Sequence, residues 1–387
     1  MGHSSSVTTA RSGVQLHSGA VILLPKTMSP TPPNRRQFLA GSSALALSGI
    51  LARGQTASPT GSPGQKIVID TDPGVDDAFA LLLAMRSKEL NILAITAVAG
   101  NVPLSLTLPN ALRLVEIAGR TDIPVASGAA SPLIRRLVTA TYAHGENGLA
   151  GVEFPAPTMQ PVKEPAADLI CRLVRANPGE ITLVGLGPLT NMALALRQDP
   201  DSAKMIRKIV LMGGSLSGGN ITPAAEFNFY VDPEAASMVF DSGIPITMVG
   251  LDVTRKVELT QDHIRQLEKG RGQVSQAAAK IATRIMQLYR QQGSTGGLHM
   301  HDPLAVTAVI QPDVLTFEDY HVEIETAGNL TAGESVGWKH GALSYSAPLR
   351  AITPEGPGSR QALTINTSVA TGVDSEKFFR LLLSRLT

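Results

Sequence analysis

One short stretch limits what this chain can fold into more than any other. It runs Ile67-Val68-Ile69-Asp70-Thr71-Asp72-Pro73-Gly74-Val75-Asp76-Asp77 and continues as the apolar run Ala78 to Leu83. The β-branched residues read as a buried strand, Pro73-Gly74 as a tight turn, and the apolar run as the start of a helix. Asp70 and Asp72 alternate with Thr71 at the strand's carboxyl end, and Asp76 and Asp77 open the helix. Asp-Pro-Gly is an ordinary turn former, and acids in a first helical turn meet the helix dipole favourably. Four acids within eight positions are more than a turn or a cap requires. Desolvated together they repel, so a positive partner is expected among them. An all-oxygen donor set suits a hard cation, Ca2+ or Mg2+. The carboxyl end of a strand is also where open α/β sheets hold their ligands.

The chain has 387 residues, enough for a large core, and its formal net charge of +1 gives no basic field for nucleic acid or an acidic membrane surface. With one Trp and few aromatics, a base-stacking platform is not expected. Cys171 is the only cysteine, so no internal disulfide forms, and its apolar neighbours Leu169, Ile170 and Leu173 mark a packed helix position.

Residues 1–63 read as a disordered leader, rich in Ser, Thr, Pro and Gly, ahead of a single domain over 64–387. Arg35-Arg36 followed by the weakly apolar stretch Ala40 to Ala52 resembles a twin-arginine (Tat) export signal, with cleavage expected near Gln55-Thr56-Ala57. The stretch is too short and too rich in small residues to span a bilayer, so export to the periplasm or medium without stable membrane insertion is expected. From Lys66 onward strands and helices alternate. Strands are expected at 90–98, 123–127, 180–186, 208–212 and 246–251. Helices are expected at 109–118, 166–176, 273–291, 303–309 and 375–386, with another after Asp232. That alternation implies an α/β fold built on an open, mostly parallel, doubly wound sheet.

Polar residues follow most of these strands. Asn101 follows the second, Gly187 to Asn191 the one ending near Gly185, and Asn220 lies beyond Gly213-Gly214. Glu226 and Asn228 would share one face of an extended segment. Such residues suit a small polyhydroxylated ligand, whose hydroxyls need paired donors and acceptors. Several also have ordinary structural readings. Asp302-Pro303 and Asp232-Pro233 both read as helix caps. Asn191 reads as a cap or a loop closure, His263 and His321 as surface residues, and Tyr289 as a core or surface residue that could also reach the base. His144 fits a turn as well as a site, and His299 shares a face with His301 only in an extended segment.

Taken together, DTDPGVDDAFAL at 70–81, AVAGN at 97–101, HGENGL at 144–149, LVGLGPLTNMALAL at 183–196, IVLMGG at 209–214, AEFNFYVDPEAA at 225–236 and HDPLAV at 301–306 resemble the inosine-uridine-preferring nucleoside hydrolase family. The resemblance covers residues 66–387 and is weakest between Val336 and Pro357. It implies a Rossmann-like sheet without a dinucleotide site, and no glycine-rich dinucleotide loop follows the first strand. It also implies calcium (Ca2+) held by Asp72, Asp77, Asp302 and the backbone carbonyl of Leu186. Asp76 would be the general base. Asn101, Asn228 and Asp302 would hold the ribose 2′ and 3′ hydroxyls, Asn220 and Glu226 the 5′ hydroxyl, and Met212 would pack beside the sugar. His301 would assist the departing base, titrating near working pH. The implied substrate is a small ribonucleoside cleaved by direct displacement with water, and the implied assembly is a homo-dimer or homo-tetramer. The base is expected to meet loops around 142–148 and 284–299.

Two other readings fit parts of the sequence. Asp70-Thr71-Asp72 after a strand also suits a haloacid-dehalogenase-type phosphotransferase, but Gly74 stands where that family wants Thr or Val. An exported nucleoside- or ribose-binding protein without turnover is the other; Asp76 and His301 would serve such a binder poorly.

Overall fold

A computed structural model describes residues 64–293, 296–339 and 364–387, which belong to one compact unit, Thr60–Thr387. The leader, its twin-arginine motif and most of the weakly matching stretch up to Pro357 lie outside the described residues. Nine strands form the main sheet: β1 (Gln65–Thr71), β2 (Leu90–Ala97), β3 (Val125–Ser127), β4 (Thr182–Gly185), β5 (Lys208–Met212), β6 (Ile246–Val249), β9 (Leu315–Ile324), β10 (Ser335–Lys339) and β11 (Thr367–Val373). Their spatial order is β10-β9-β11-β6-β5-β4-β1-β2-β3. A separate two-stranded ribbon pairs β7 (Glu258–Leu259) with β8 (Leu298–His299).

The stretch β3-β2-β1-β4-β5-β6 is parallel throughout, and β11 continues it in the same direction. Within this sheet only β9 runs the other way, pairing antiparallel with β11 on one side and β10 on the other. The chain leaves β1 toward β2 and β3 on one side and returns through β4 to the other. The topological switch therefore falls between β1 and β4, where crossover loops diverge and leave a crevice at the strands' carboxyl ends. Asp72 and Leu186 each follow one of these two strands, so the crevice opens between them.

Alternation along β1 decides its two faces: Ile67 and Ile69 join one core cluster and Val68 the other. The helix Val75–Met85 is buried at all of its positions, which explains its continuous rather than striped apolar sequence. It packs under the cavity end of the sheet against the helix His301–Ile310. Among the described residues, no helix is long and apolar enough to cross a membrane.

Several expected boundaries move. The helix expected from Pro109 begins at Leu104, with Pro109 inside it. Proline is common in a first turn, which drew the expected start too late; here its missing N–H leaves a carbonyl one turn earlier without its helical partner. The segment around Glu226 is not extended: Phe227–Val231 is a short helix capped by Glu226. The strand expected to reach Leu251 ends at Val249, and Leu251–Thr254 turns into a helix. Asp302 does not cap its helix; Met300 holds that position and Asp302 lies in the first turn. Asp232 does cap its helix, accepting from the Ala235 N–H.

Candidate active site

The turn after β1 is fixed by Asp77. Its Oδ2 accepts from the Gly74 N–H at 2.9 Å and from Asn101 Nδ2 at 2.9 Å. Its Oδ1 accepts from the Thr71 hydroxyl and from the Asp72 N–H. Four donors on one carboxylate orient it rigidly. Asp72 is held from the neighbouring loop, Oδ2 accepting from the Asn101 N–H at 2.7 Å. A Cβ at Gly100 or Gly187 would run into the Asp72 carboxylate, so both loops close on it only with glycine there. Asp72 Oδ1 is buried and has no hydrogen-bond partner.

Asp76, Asp77 and Asp302 each offer an oxygen, and these oxygens lie within 4.8 Å of one another. Asp302 arrives from a helix 225 positions further along the chain. All three are buried, and burial raises every carboxyl of the group. Asp76 is pushed up to about 7, first by burial and then by the charge of Asp77. Asp302 goes well above the usual range, by burial and then by Asp76, Asp77 and Asp72. Asp72 is raised likewise, by burial and then Asp77. Such an arrangement is costly without a cation and favourable with one. The donor set is all oxygen, and the orphaned Asp72 Oδ1 adds an acceptor, so the residues fit a hard divalent ion. The close set differs from the expected one: Asp76 belongs to it and Asp72 does not.

Asp70 is not part of this cluster. Its Oδ1 accepts from the Thr96 hydroxyl and from Asn191 Nδ2, and its Oδ2 is unpartnered. Desolvation raises it to about 7. Asn191 also donates to the Ala97 carbonyl and accepts from the Ala129 N–H. It thus ties β1 to two loops instead of facing the cavity.

Above the carboxylates lies one cavity. It is lined by Asp76, Asn101, Leu186, Met212, Asn220, Glu226, Asn228, His301 and Asp302, together with Tyr142, His144, Tyr289 and His299. Of the residues expected at the site, only Asp72 and Asp77 are absent from this lining, because they sit beneath it. Asn228 Nδ2 donates to the carbonyls of Leu186 at 2.9 Å and Met212 at 3.1 Å, joining the ends of β4 and β5. Glu226 accepts from three backbone N–H groups, those of Gly214, Asn228 and Phe229. Even so, burial raises it to about 7. Asn220 is exposed at the rim, its Oδ1 accepting from the Phe227 N–H at 2.9 Å.

Three imidazoles line the same cavity. His144 Nδ1 accepts from the Val75 N–H at 3.0 Å, which leaves the proton on Nε2. Burial lowers His144 to about 4, so its 3.8 Å approach to Asp76 is not an ion pair at neutral pH. His301 does not titrate near working pH as expected. Burial, followed by His299, His144 and Arg255, pushes it down to about 3. The ring is therefore neutral at working pH. The His299 ring lies 5.5 Å from that of His301. His263 and His321 lie partly exposed at the surface; His263 stacks on Phe379 and His321 bonds Glu323.

Tyr289 lines the cavity, and its hydroxyl donates to the Ala143 carbonyl at 3.3 Å. Gln292 pins the same loop through the Tyr142 carbonyl. Sequence reasoning missed Thr254, whose hydroxyl lies 2.7 Å from His301 Nδ1. No spacing signal joins residues 47 positions apart.

A Rossmann-ordered sheet with a carboxylate cluster at its switch point, facing a polar cavity, defines an α/β protein built to hold a cation beside a small polar ligand. The family model described as "Inosine-uridine preferring nucleoside hydrolase" matches residues 67–380, and the chain belongs to that family. It is a nucleoside hydrolase. A relative in Photobacterium profundum named pyrimidine-specific ribonucleoside hydrolase RihA is 42% identical, covering 83% of this chain and 98% of its own length. A Schizosaccharomyces pombe protein named only as uncharacterized is 41% identical over 83% of this chain and 98% of its own. Among solved structures, a plant nucleoside hydrolase superposes with TM-score 0.76 at 33% identity, covering 84% of this chain and 99% of that one. A purine-preferring ribonucleoside hydrolase from Gardnerella vaginalis gives 0.73 at 30%, covering 83% and 98%.

Proposed function

We propose that this chain hydrolyses the N-glycosidic bond of ribonucleosides to ribose and free base, with pyrimidine ribosides preferred and Ca2+ bound at the carboxylate cluster. The observation that carries this reading is the convergence, in one cavity, of buried carboxylates and neutral imidazoles. Asp72, Asp77, Asp302 and the Leu186 carbonyl would hold the ion, which when bound acidifies a water and orients ribose hydroxyls. Asp76 takes a proton from the water that attacks C1′. As the C1′–N bond breaks, its electron pair leaves with the base, and positive charge develops on the ribose. Nearby carboxylates stabilise that charge, as they do in glycoside hydrolysis. Asn101, Asn228 and Asp302 face the ribose 2′ and 3′ hydroxyls. Asn220 and Glu226 receive the 5′ hydroxyl, and Met212 packs beside the ring. His301 donates a hydrogen bond to the departing base.

The pyrimidine preference rests on relatives at about two-fifths identity that are named pyrimidine-specific. A panel of uridine, cytidine, inosine and guanosine, read as free ribose, tests both parts. Release from uridine and cytidine ahead of the purines is expected; saturable binding without ribose release would overturn the activity. The reading extends to export through the 35–36 arginine pair, to the 64–387 catalytic domain, and to a homo-dimer or homo-tetramer. Cell fractionation, N-terminal sequencing of the mature chain and light scattering test these in turn.

A further inference from the structure

We infer that Thr254 is a positioning residue that fixes His301 in the tautomer with its proton on Nε2, and so makes it a hydrogen-bond donor to the leaving base. The inference rests on the ribonucleoside-hydrolysis reading above. Thr254 is fully buried, and its hydroxyl meets His301 Nδ1 at 2.7 Å. Among the described residues, His301 is the only hydrogen-bond partner of that hydroxyl. A hydroxyl carries one proton, and a buried O–H with no acceptor forfeits its hydration. Donation to Nδ1 is the only bond here that spends that proton. The alternative, Nδ1–H donating to Oγ1, strands it. Nδ1 is therefore the acceptor and Nε2 carries the hydrogen. The bond holds the Nδ1 edge of the ring to the cavity wall, so the Nε2–H edge lies on the opposite side of the ring.

The segment that carries Thr254 is itself anchored. The Leu251 N–H donates to the Gly214 carbonyl at 3.0 Å. Asp252 accepts from the Leu216 N–H at 2.9 Å and from the Ser217 hydroxyl at 2.6 Å. Arg255 donates to the carbonyls of Gly218 and Gly219. This loop leads to Asn220 at the other end of the cavity. The short helix Leu251–Thr254 thus sets the histidine at the base end and braces the loop at the sugar's 5′ end.

Two measurements test the inference. Thr254→Val keeps the shape and removes the hydroxyl, whereas Thr254→Ser keeps the hydroxyl. For uridine, Thr254→Val should cut kcat about 10- to 100-fold with KM within about threefold, and Thr254→Ser should restore most of it. Hydrolysis of p-nitrophenyl riboside, whose leaving group needs no donor, should stay within about threefold. Equal losses on both substrates, or a serine variant as impaired as the valine one, would show a structural role and overturn the inference. Independently of turnover, 15N-histidine NMR, with His301→Gln assigning the signal, should show the Nε2–H tautomer in the native chain and a mixture in Thr254→Val. An Nδ1–H tautomer in the native chain would sink it outright. If the native chain releases no ribose, the hydrolysis reading falls, and the spectrum still decides the tautomer.

Discussion

Asp76→Asn should stabilise the metal-free protein at alkaline pH while destroying its activity. The Asp76 carboxyl is pushed from 3.8 to about 7, by burial and then by Asp77. Each unit is worth about 1.4 kcal/mol, so ionising this group in the folded chain costs about 4 kcal/mol. The folded value lies above the unfolded one. Between about pH 4 and pH 7 the folded chain therefore binds more protons than the unfolded chain, and stability falls as pH rises through that window. Asparagine carries no such charge. In EDTA at pH 8 the variant should gain about 2–4 kcal/mol, the lower figure allowing for water reaching Asp76 through the cavity. That corresponds to about 3–6 °C in Tm for a folded domain of this size. At pH 5 only about the first unit of that window has been crossed, so the gain should fall to about 1–2 kcal/mol. Saturating Ca2+ narrows the gap: at a hundredfold excess over Kd it adds about 2.7 kcal/mol to the native protein and less to the variant. Thermal melts at both pH values, with EDTA and with Ca2+, read all four corners. A variant destabilised in EDTA at pH 8, or shifted equally at both pH values, would refute the argument that repulsion is stored in this cluster.

Two further outcomes follow from the same geometry. His301→Ala should lower kcat/KM on uridine and inosine by about 100- to 1,000-fold but on p-nitrophenyl riboside by less than about tenfold, checked by steady-state kinetics. Asn228→Leu leaves the buried carbonyls of Leu186 and Met212 without their donor. It should cost about 1–3 kcal/mol in urea unfolding and raise KM for every ribonucleoside, whatever its base.

The site's skeleton was legible where chemistry and secondary structure share one short segment. β1, its Pro-Gly turn and the acids beside them sit within a dozen residues, so strand, turn and carboxylates announce one another. Asp302 could be placed only through the family resemblance, because its local grammar is that of a cap. What depended on tertiary contact was hidden. Asp70 looks like Asp72 in sequence, yet Thr96 and Asn191 from other elements take it out of the cluster. Glu226 gains its role as a cap from N–H groups that exist only once the chain folds. β9 escaped because its buried positions change parity, Leu315 falling on odd numbers and Tyr320, Val322 and Ile324 on even ones. Its pairing with β11 carries a register shift at Ala370 to Gly372 that accounts for the break. Tyr289 lies at the end of a long amphipathic helix, where the apolar stripe gives no hint that the ring turns to a cavity.

The most direct measurement is ribose release from uridine by protein stripped of metal and then titrated with Ca2+. Loss of turnover on stripping, with full recovery at one ion per chain, is the predicted result. Undiminished turnover in the stripped protein, or recovery that ignores Asp302→Asn, would contradict the claim that an ion among these carboxylates drives the hydrolysis.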